Sequence, residues 1–368
     1  MMNNMLSVII PTFNRSAFLY RQIRYYCALK FKGTILIGDS SSGDELQRNK
    51  QAIKSFNDKL NIHYREFPTL NEPSCNEELI KLIKTPYAVF VADDDFLVPS
   101  GLEKCIDFLE KNSKYNAAHG VGIRLKTENS DPHGKIIICT RKRQPVVDEA
   151  SASYRYLNFM NFLADVHFSV HRVQSFRLMF YNSQLYNNDR VFSSTLQPCC
   201  ISVIQGKIKE LNCLSLVRQI NDYRYPILER NEFFGWITNE KWLNHLNIFY
   251  NIVVKELMFQ DNIKFEESKK VVMMGLSKYI VKRLGNETDE YYANKMIISD
   301  NLYTGKIGSE RRLEKYIICF KNYIKKIKSF MSLPSDEQNK ISLESLLNPS
   351  SPYHKDFMPI YRAITEQY

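Results

Sequence analysis

Tyr87-Ala88-Val89-Phe90-Val91-Ala92-Asp93-Asp94-Asp95-Phe96 is the stretch on which the fold turns. Its apolar run reads as a strand buried on both faces, the kind found in a parallel sheet covered by helices. That strand leads directly into three carboxylates. In open α/β sheets, ligands gather outside the carboxyl ends of strands, where the connection order reverses. Three adjacent negative charges repel one another unless a cation neutralises them, and hard divalent ions favour one or two carboxylates plus phosphate oxygens. A metal–diphosphate site is therefore expected at Asp93 to Asp95, with an acidic turn leading into the next helix as the bland alternative.

Outward from this stretch, strand and helix signals alternate. Leu6 to Ile10, Thr34 to Gly38 and Asn61 to Arg65 read as strands. Helices are expected from Ser16, as a cap, to Lys30, from Asp44 to Lys59, from Asn76 to Lys84, and from Pro99 through the stripe Leu102, Cys105, Ile106 and Leu109. Beyond Lys111 the rhythm loosens: Ala117 to Arg124, Lys135 to Thr140, Val166 to Arg172 and Ile208 to Arg218 read as strands between longer irregular pieces. After about Tyr225 only helical periods remain, over Asn231 to Gln260, Glu266 to Leu284, Thr288 to Ile298 and Arg311 to Met331. The expected fold is α/β, a mixed and mainly parallel Rossmann-like sheet flanked by helices, in residues 1–225, followed by an α-helical domain in residues 226–368.

The chain has 368 residues, 44% hydrophobic and 24% charged, with only 13 Gly and 13 Pro, which excludes a disordered or low-complexity protein. Its 50 Lys+Arg against 40 Asp+Glu give a formal charge of +10, which invites a polyanion: nucleic acid, an anionic membrane surface or a phosphorylated substrate. No nucleic-acid-binding module or aromatic–basic platform is recognisable, so no nucleic-acid partner is expected. The eight cysteines form no Cys-x-x-Cys pair, which argues against a zinc site or disulfide framework and for a reducing compartment. No run of about 18 apolar residues occurs, so no membrane-spanning helix is expected. A cytoplasmic protein is expected, with a peripheral place at the inner face of the membrane as the variant suggested by Arg311, Arg312, Lys315, Lys321, Lys325, Lys326 and Lys328 on one amphipathic stretch. Core packing with a solvated basic side is the plainer reading of that stretch.

Two other strand ends carry candidate ligand groups. Pro11-Thr12-Phe13-Asn14-Arg15 places an arginine where a phosphate or base could be met, and Ile37-Gly38-Asp39-Ser40-Ser41-Ser42-Gly43-Asp44 places Asp39 where it could accept from a base imide or a ribose hydroxyl. Alone, each is ordinary turn chemistry; their order on consecutive strands raises them. His167 and His171, four apart on one expected strand, would share a face, as a structural pair or toward an acceptor. No Gly-x-Ser-x-Gly elbow or P-loop is present.

Taken together, Val8-Ile9-Ile10-Pro11-Thr12-Phe13-Asn14-Arg15, the segment around Asp39, and Phe90 to Pro99 resemble the successive motifs of family 2 glycosyltransferases with the GT-A fold. The resemblance implies a nucleotide-diphosphate sugar donor, Mn²⁺ or Mg²⁺, and a glycan or lipid-linked acceptor. It implies Asp39 and Ser41 at the nucleoside, Pro11, Thr12, Phe13, Arg15 and Asp93 around the nucleotide, and Asp94 and Asp95 on the metal, with Ala92 where the first family aspartate usually stands. Leu216 to Asp222 resembles the closing segment, with Arg218, Asn221 and Asp222 within reach of phosphate or metal and Ile220 in place of a usual histidine. The resemblance implies that the proton acceptor an inverting transferase requires stands about a dozen residues before Gly206, yet Val191 to Leu196 contains no carboxylate; Asp189 is the candidate base. A nucleotidyltransferase lacks its glycine-rich loop here, and a catalytically silent nucleotide-sugar-binding module is the other alternative.

Overall fold

The computed structural model describes residues 4–186, 189–221, 233–299 and 341–366. Four parallel strands form its first sheet half: β1 (Leu6–Thr12), β2 (Thr34–Asp39), β3 (Asn61–Glu66) and β4 (Tyr87–Phe90). β1 pairs with β2 on one side and with β4 on the other, and β2 pairs with β3. The chain therefore moves outward from β1 to β3 and then returns across β1 to β4. That reversal puts the loops after β1 and β4 side by side at the carboxyl edge. β1 and β4 are almost entirely buried, which explains their unbroken apolar runs, whereas β3 is an edge strand with alternating exposure.

β5 (Phe96–Leu97), β6 (Tyr115–Thr127), β7 (Ile136–Lys142), β8 (Val170–Arg172) and β9 (Lys207–Ile220) complete a nine-stranded sheet. β8 is antiparallel to both β4 and β6, β9 runs parallel to β6, and β5 is antiparallel to β9. Pairing Phe96 with Val217 and Leu97 with Leu216 carries the aspartate loop next to Arg218 and Gln219. The expected strand from Val166 shortens to Val170–Arg172, with His167 in the turn before it. His167 and His171 therefore do not share a strand face.

Helices α1 (Ser16–Ala28), α2 (Gly43–Phe56), α3 (Glu72–Lys81) and α4 (Pro99–Lys111) cover the sheet. α1 starts from Arg15 at the N-cap, and the Ser16 amide donates to Glu45 at 2.7 Å, so Ser16 is not the cap its sequence suggests. α3 begins earlier than expected because Asn71 accepts from the Ser74 amide at 3.0 Å and Pro73 fits the first turn. Gly101 lets α4 approach β9 closely: a Cβ there would lie 2.1 Å from the Leu214 carbonyl oxygen.

The irregular middle contains α5 (Ala152–Phe162), α6 (Val173–Met179), a π-helical turn over Val191–Leu196, and α7 (Gln197–Gln205). The expected helix from Asn231 divides into α8 (Phe233–Ile237) and α9 (Trp242–Asp261), while two expected segments merge as α10 (Phe265–Ser299). α9 and α10 pack on α5, and the Asp261 carboxylate accepts from the Ala152 and Ser153 amides, both at 2.7 Å. The chain then returns to the sheet: after α11 (Leu343–Leu347), α12 (His354–Thr365) buries Phe357, Ile360 and Ile364 completely in the same hydrophobic core as β1 and β4. The boundary at residue 225 and the basic stretch Arg311 to Met331 lie outside the described residues.

Candidate active site

The loops after β1 and β2 are built as one unit. Asn14 takes a left-handed conformation (φ 52°), its amide donates to Ser41 Oγ at 2.7 Å, and its side-chain oxygen accepts from the Ser42 amide at 3.0 Å. Asp39 is fully buried beneath them. One of its oxygens accepts from the Ser41 amide at 2.8 Å; the other accepts from Asn49 at 2.8 Å and the Tyr64 hydroxyl at 2.6 Å. These bonds make Asp39 and Ser41 the floor of the loop pair rather than part of the cleft wall.

The three aspartates divide among two arginines. Arg15, held with its guanidinium carbon 4.4 Å from the centre of the Phe18 ring, reaches Asp93 Oδ1 with Nη1 at 2.9 Å and Asp94 Oδ2 with Nη2 at 2.8 Å. Thr12 donates to Asp93 Oδ2 at 2.8 Å, and Asn221 adds a second bond to Asp94 Oδ2 at 2.8 Å. Asp95 is fully buried; its Oδ1 accepts from the Gln219 amide at 3.0 Å and its Oδ2 from Arg218 Nε at 3.0 Å. Burial pushes the carboxyls of Asp93 and Asp95 up to about 7, with Arg15 and Arg218 respectively opposing that rise. Burial pulls the Arg15 guanidinium down, but Asp93 and Asp94 outweigh it and hold the group charged.

Behind the loop lies Arg21, which composition alone would leave on the surface. It is buried, donates to the Asp94 carbonyl at 2.9 Å, to Gln219 Oε1 at 2.6 Å and to the Pro132 carbonyl, and packs against the Phe96 ring. Burial lowers its guanidinium to about 9 while Asp94 and Asp95 oppose the fall. Gln22 donates to the carbonyls of Ala92 and Asp95 at 2.8 and 2.6 Å. Consecutive residues of α1 thus fix the path of the aspartate loop.

On the other side, Arg218 reaches Asp165 with Nη1 at 2.8 Å and lies over Phe168 at 4.6 Å. Buried Lys142 also meets Asp165, at 3.2 Å. Burial raises the Asp165 carboxyl, but Lys142, His167 and Arg218 together hold it well below the ordinary carboxylate range.

A cleft of about 210 Å³ opens where these loops meet. Pro11, Phe13, Ser40, Cys75 and Phe90 form its less polar part; Thr12, Arg15, Asp93, Asp94 and Arg218 form its charged part, joined by an Arg190–Glu72 ion pair. Of the residues expected at the site, Pro11, Thr12, Phe13, Arg15, Asp93, Asp94 and Arg218 line it, and Asp39, Ser41, Asp95 and Asp189 do not. Asp189 is committed elsewhere: it accepts from Trp236 Nε1 and His245 Nδ1 at 3.0 Å and from the amides of Val191 and Phe192, and so fastens α8 and α9 to the π-helical turn. Asp222 lies outside the described residues. Glu72, Cys75 and Arg190 were not foreseen: the packing of α3 against β1 and β2 carries Glu72 and Cys75 to the cleft, and Arg190, at the N-cap of the π-helical turn, reaches it through its ion pair with Glu72.

The metal expected here can be tested against the oxygen atoms present. Asp95 is buried with both oxygens occupied, and both oxygens of Asp93 already accept bonds, so Asp94 Oδ1 is the one oxygen of the three carboxylates without a partner among the described residues. Among those residues no group of three His, Cys, Asp or Glu side chains is disposed to hold a metal ion. As arranged, the donor set does not fit a divalent ion held by Asp94 and Asp95.

Residues 7–182 match the model for glycosyl transferase family 2. No curated protein sequence matches the chain. Among solved structures, the chain is similar to that of S. aureus TarS 1-349 in complex with UDP-GlcNAc, at 13% identity and a TM-score of 0.49 over 75% of this chain and 73% of that one. It is also similar to S. aureus TarS 1-349 in complex with UDP, at 15% identity and a TM-score of 0.41 over 79% and 92% of the respective chains.

Proposed function

The segment 7–182 is a domain of glycosyl transferase family 2, and from that premise we propose that the protein transfers a sugar from a nucleotide-diphosphate donor to a glycan or lipid-linked acceptor. The observation that carries this reading is the convergence of the loops after β1 and β4 with Arg218 of β9 on one cleft at the sheet's switch point. In this reading the nucleoside lies toward Phe13, Ser40 and Phe90, and the diphosphate lies between Arg15 and Arg218. The reaction is direct displacement: the acceptor oxygen bonds the anomeric carbon, the bond to the diphosphate breaks with its electron pair on the leaving oxygen, and the acceptor proton passes to a base. A lipid-linked acceptor is supported by the sequence alone, through the basic stretch Arg311 to Lys328, and a glycan acceptor by the family resemblance alone. Among the described residues no helix is long and apolar enough to cross a membrane.

A panel of nucleotide sugars offered to the purified full chain tests the reading. Release of nucleoside diphosphate from at least one donor, reduced by Arg218→Met, is the expected result. Tight binding of a nucleotide sugar with no turnover, whatever acceptor is supplied, would instead indicate a silent binding module.

A further inference from the structure

Neutralising a departing diphosphate requires positive charge that is already in place and has donors to spare. Arg15 and Arg218 both line the cleft. A guanidinium carries five N–H donors. Among the described residues Arg15 gives one bond to Asp93 and one to Asp94, and Arg218 gives one to Asp95 and one to Asp165, so each retains N–H groups that can meet phosphate without breaking its carboxylate pair. The carboxylates are in the opposite condition. Asp93 and Asp95 have bonds on every oxygen, and Arg15 already spans Asp93 and Asp94 as a bridging cation would.

Net charge favours neither ion; the difference lies in which groups have bonds to spare. Arg15, Arg190 and Arg218 stand against Glu72, Asp93 and Asp94 in the lining, three positive and three negative groups. A divalent cation would have to displace Arg15 from Asp93 and Asp94, whereas a diphosphate would find guanidinium groups that are paired but not saturated.

Resting on the glycosyltransferase reading, we infer that the charge of the leaving diphosphate is met by the guanidinium groups of Arg15 and Arg218 rather than by a divalent metal ion. As the bond to the anomeric carbon breaks, the electron pair settles on a diphosphate oxygen that these arginines hold by charge-assisted hydrogen bonds.

The test is calorimetric titration of the chelator-treated full chain with uridine, guanosine, adenosine and thymidine diphosphates, in EDTA and again in Mn²⁺. Uptake of Mn²⁺ alone is followed through loss of the free-ion paramagnetic resonance signal. At least one nucleoside diphosphate should bind equally well in both buffers, with no Mn²⁺ uptake by the protein alone. Arg15→Gln should weaken that binding by about tenfold or more, the scale of one lost charge-assisted pair, and should let Mn²⁺ bind by releasing Asp93 and Asp94. Binding that appears only with Mn²⁺, or micromolar uptake of Mn²⁺ by the unaltered protein, would overturn the inference and leave the glycosyltransferase reading standing. Binding of no nucleoside diphosphate in either buffer would overturn both. The measurements on the unaltered protein decide the matter even if Arg15→Gln does not fold.

Discussion

Arg218 and Asp95 form a buried ion pair, with Nε 3.0 Å from Oδ2, in which the carboxylate is fully enclosed and the arginine faces the cleft. The pair joins the fold to the cleft: one partner closes the aspartate loop against β9, and the other lines the cleft. Removing one partner of such a pair leaves an uncompensated buried charge, at a cost of about 3–5 kcal/mol. Arg218→Met should lose stability on that scale. Asp95→Asn should lose less, because an amide needs no counter-charge. Urea denaturation at neutral pH measures both, and a change below about 1 kcal/mol for Arg218→Met would show that the pair carries little.

Asp189 should behave as an anchor. Asp189→Ala strands the Trp236 indole and the His245 imidazole and should lower stability by about 2–3 kcal/mol. Asp189→Asn should keep turnover per folded molecule within roughly twofold. Full stability together with a collapse of turnover in Asp189→Asn would identify Asp189 as the proton acceptor after all.

Acid should destabilise the fold through its buried histidines. His171 has one ring nitrogen 2.8 Å from the Ser169 carbonyl and the other 2.8 Å from Ser202 Oγ, and burial lowers its imidazole to about 3; burial lowers His167 to about 4. Both are neutral in the folded protein, whereas the unfolded chain takes up protons below about 6.5. Their stabilising contribution is therefore complete above about pH 6.5 and is lost as pH falls from there toward 4, on the order of a few kcal/mol. Asp93 and Asp95, with raised values, act in the opposite sense: protons they retain until pH rises toward 7 favour the fold on the acid side. The test is therefore differential. His171→Gln should melt with a smaller drop in Tm between pH 7 and pH 5 than the unaltered protein; an unchanged drop would remove His171 from the account.

The last helix should be needed for the sheet domain. Phe357 is fully buried, and Asp356 accepts from the Ser100 hydroxyl at 2.7 Å, tying α12 to the first turn of α4. Phe357→Ala should cost about 3–5 kcal/mol in urea denaturation, the usual range for a buried phenylalanine. Loss of less than about 1 kcal/mol would mean that α12 is a dispensable appendage.

Much of the first half was legible because its signals are local. Apolar runs bounded by turn residues located β1, β2 and β4, and the carboxylates after the β4 run identified the edge where the cleft lies. α7 was missed because it is buried along eight of its nine residues, so no clean helical stripe appears; α5 does bury a stripe at helical spacing, Ala152, Arg155, Tyr156, Phe159 and Met160, which was overlooked. The expected shared face of His167 and His171 failed because strand pairing begins only at Val170.

By its order of residue types alone, the chain determines an alternating α/β beginning and candidate ligand loops after the first, second and fourth strands. Backbone hydrogen bonding and side-chain periodicity act over a few residues and leave a local imprint. Which carboxylate faces the cleft, and what neutralises it, depends on groups far apart in sequence. Arg15 meets Asp93, Arg218 meets Asp95, and Arg21 braces the loop from below only once β1, β4 and β9 lie in one sheet. Charges so enclosed are governed by three-dimensional distance and burial, and sequence spacing encodes neither.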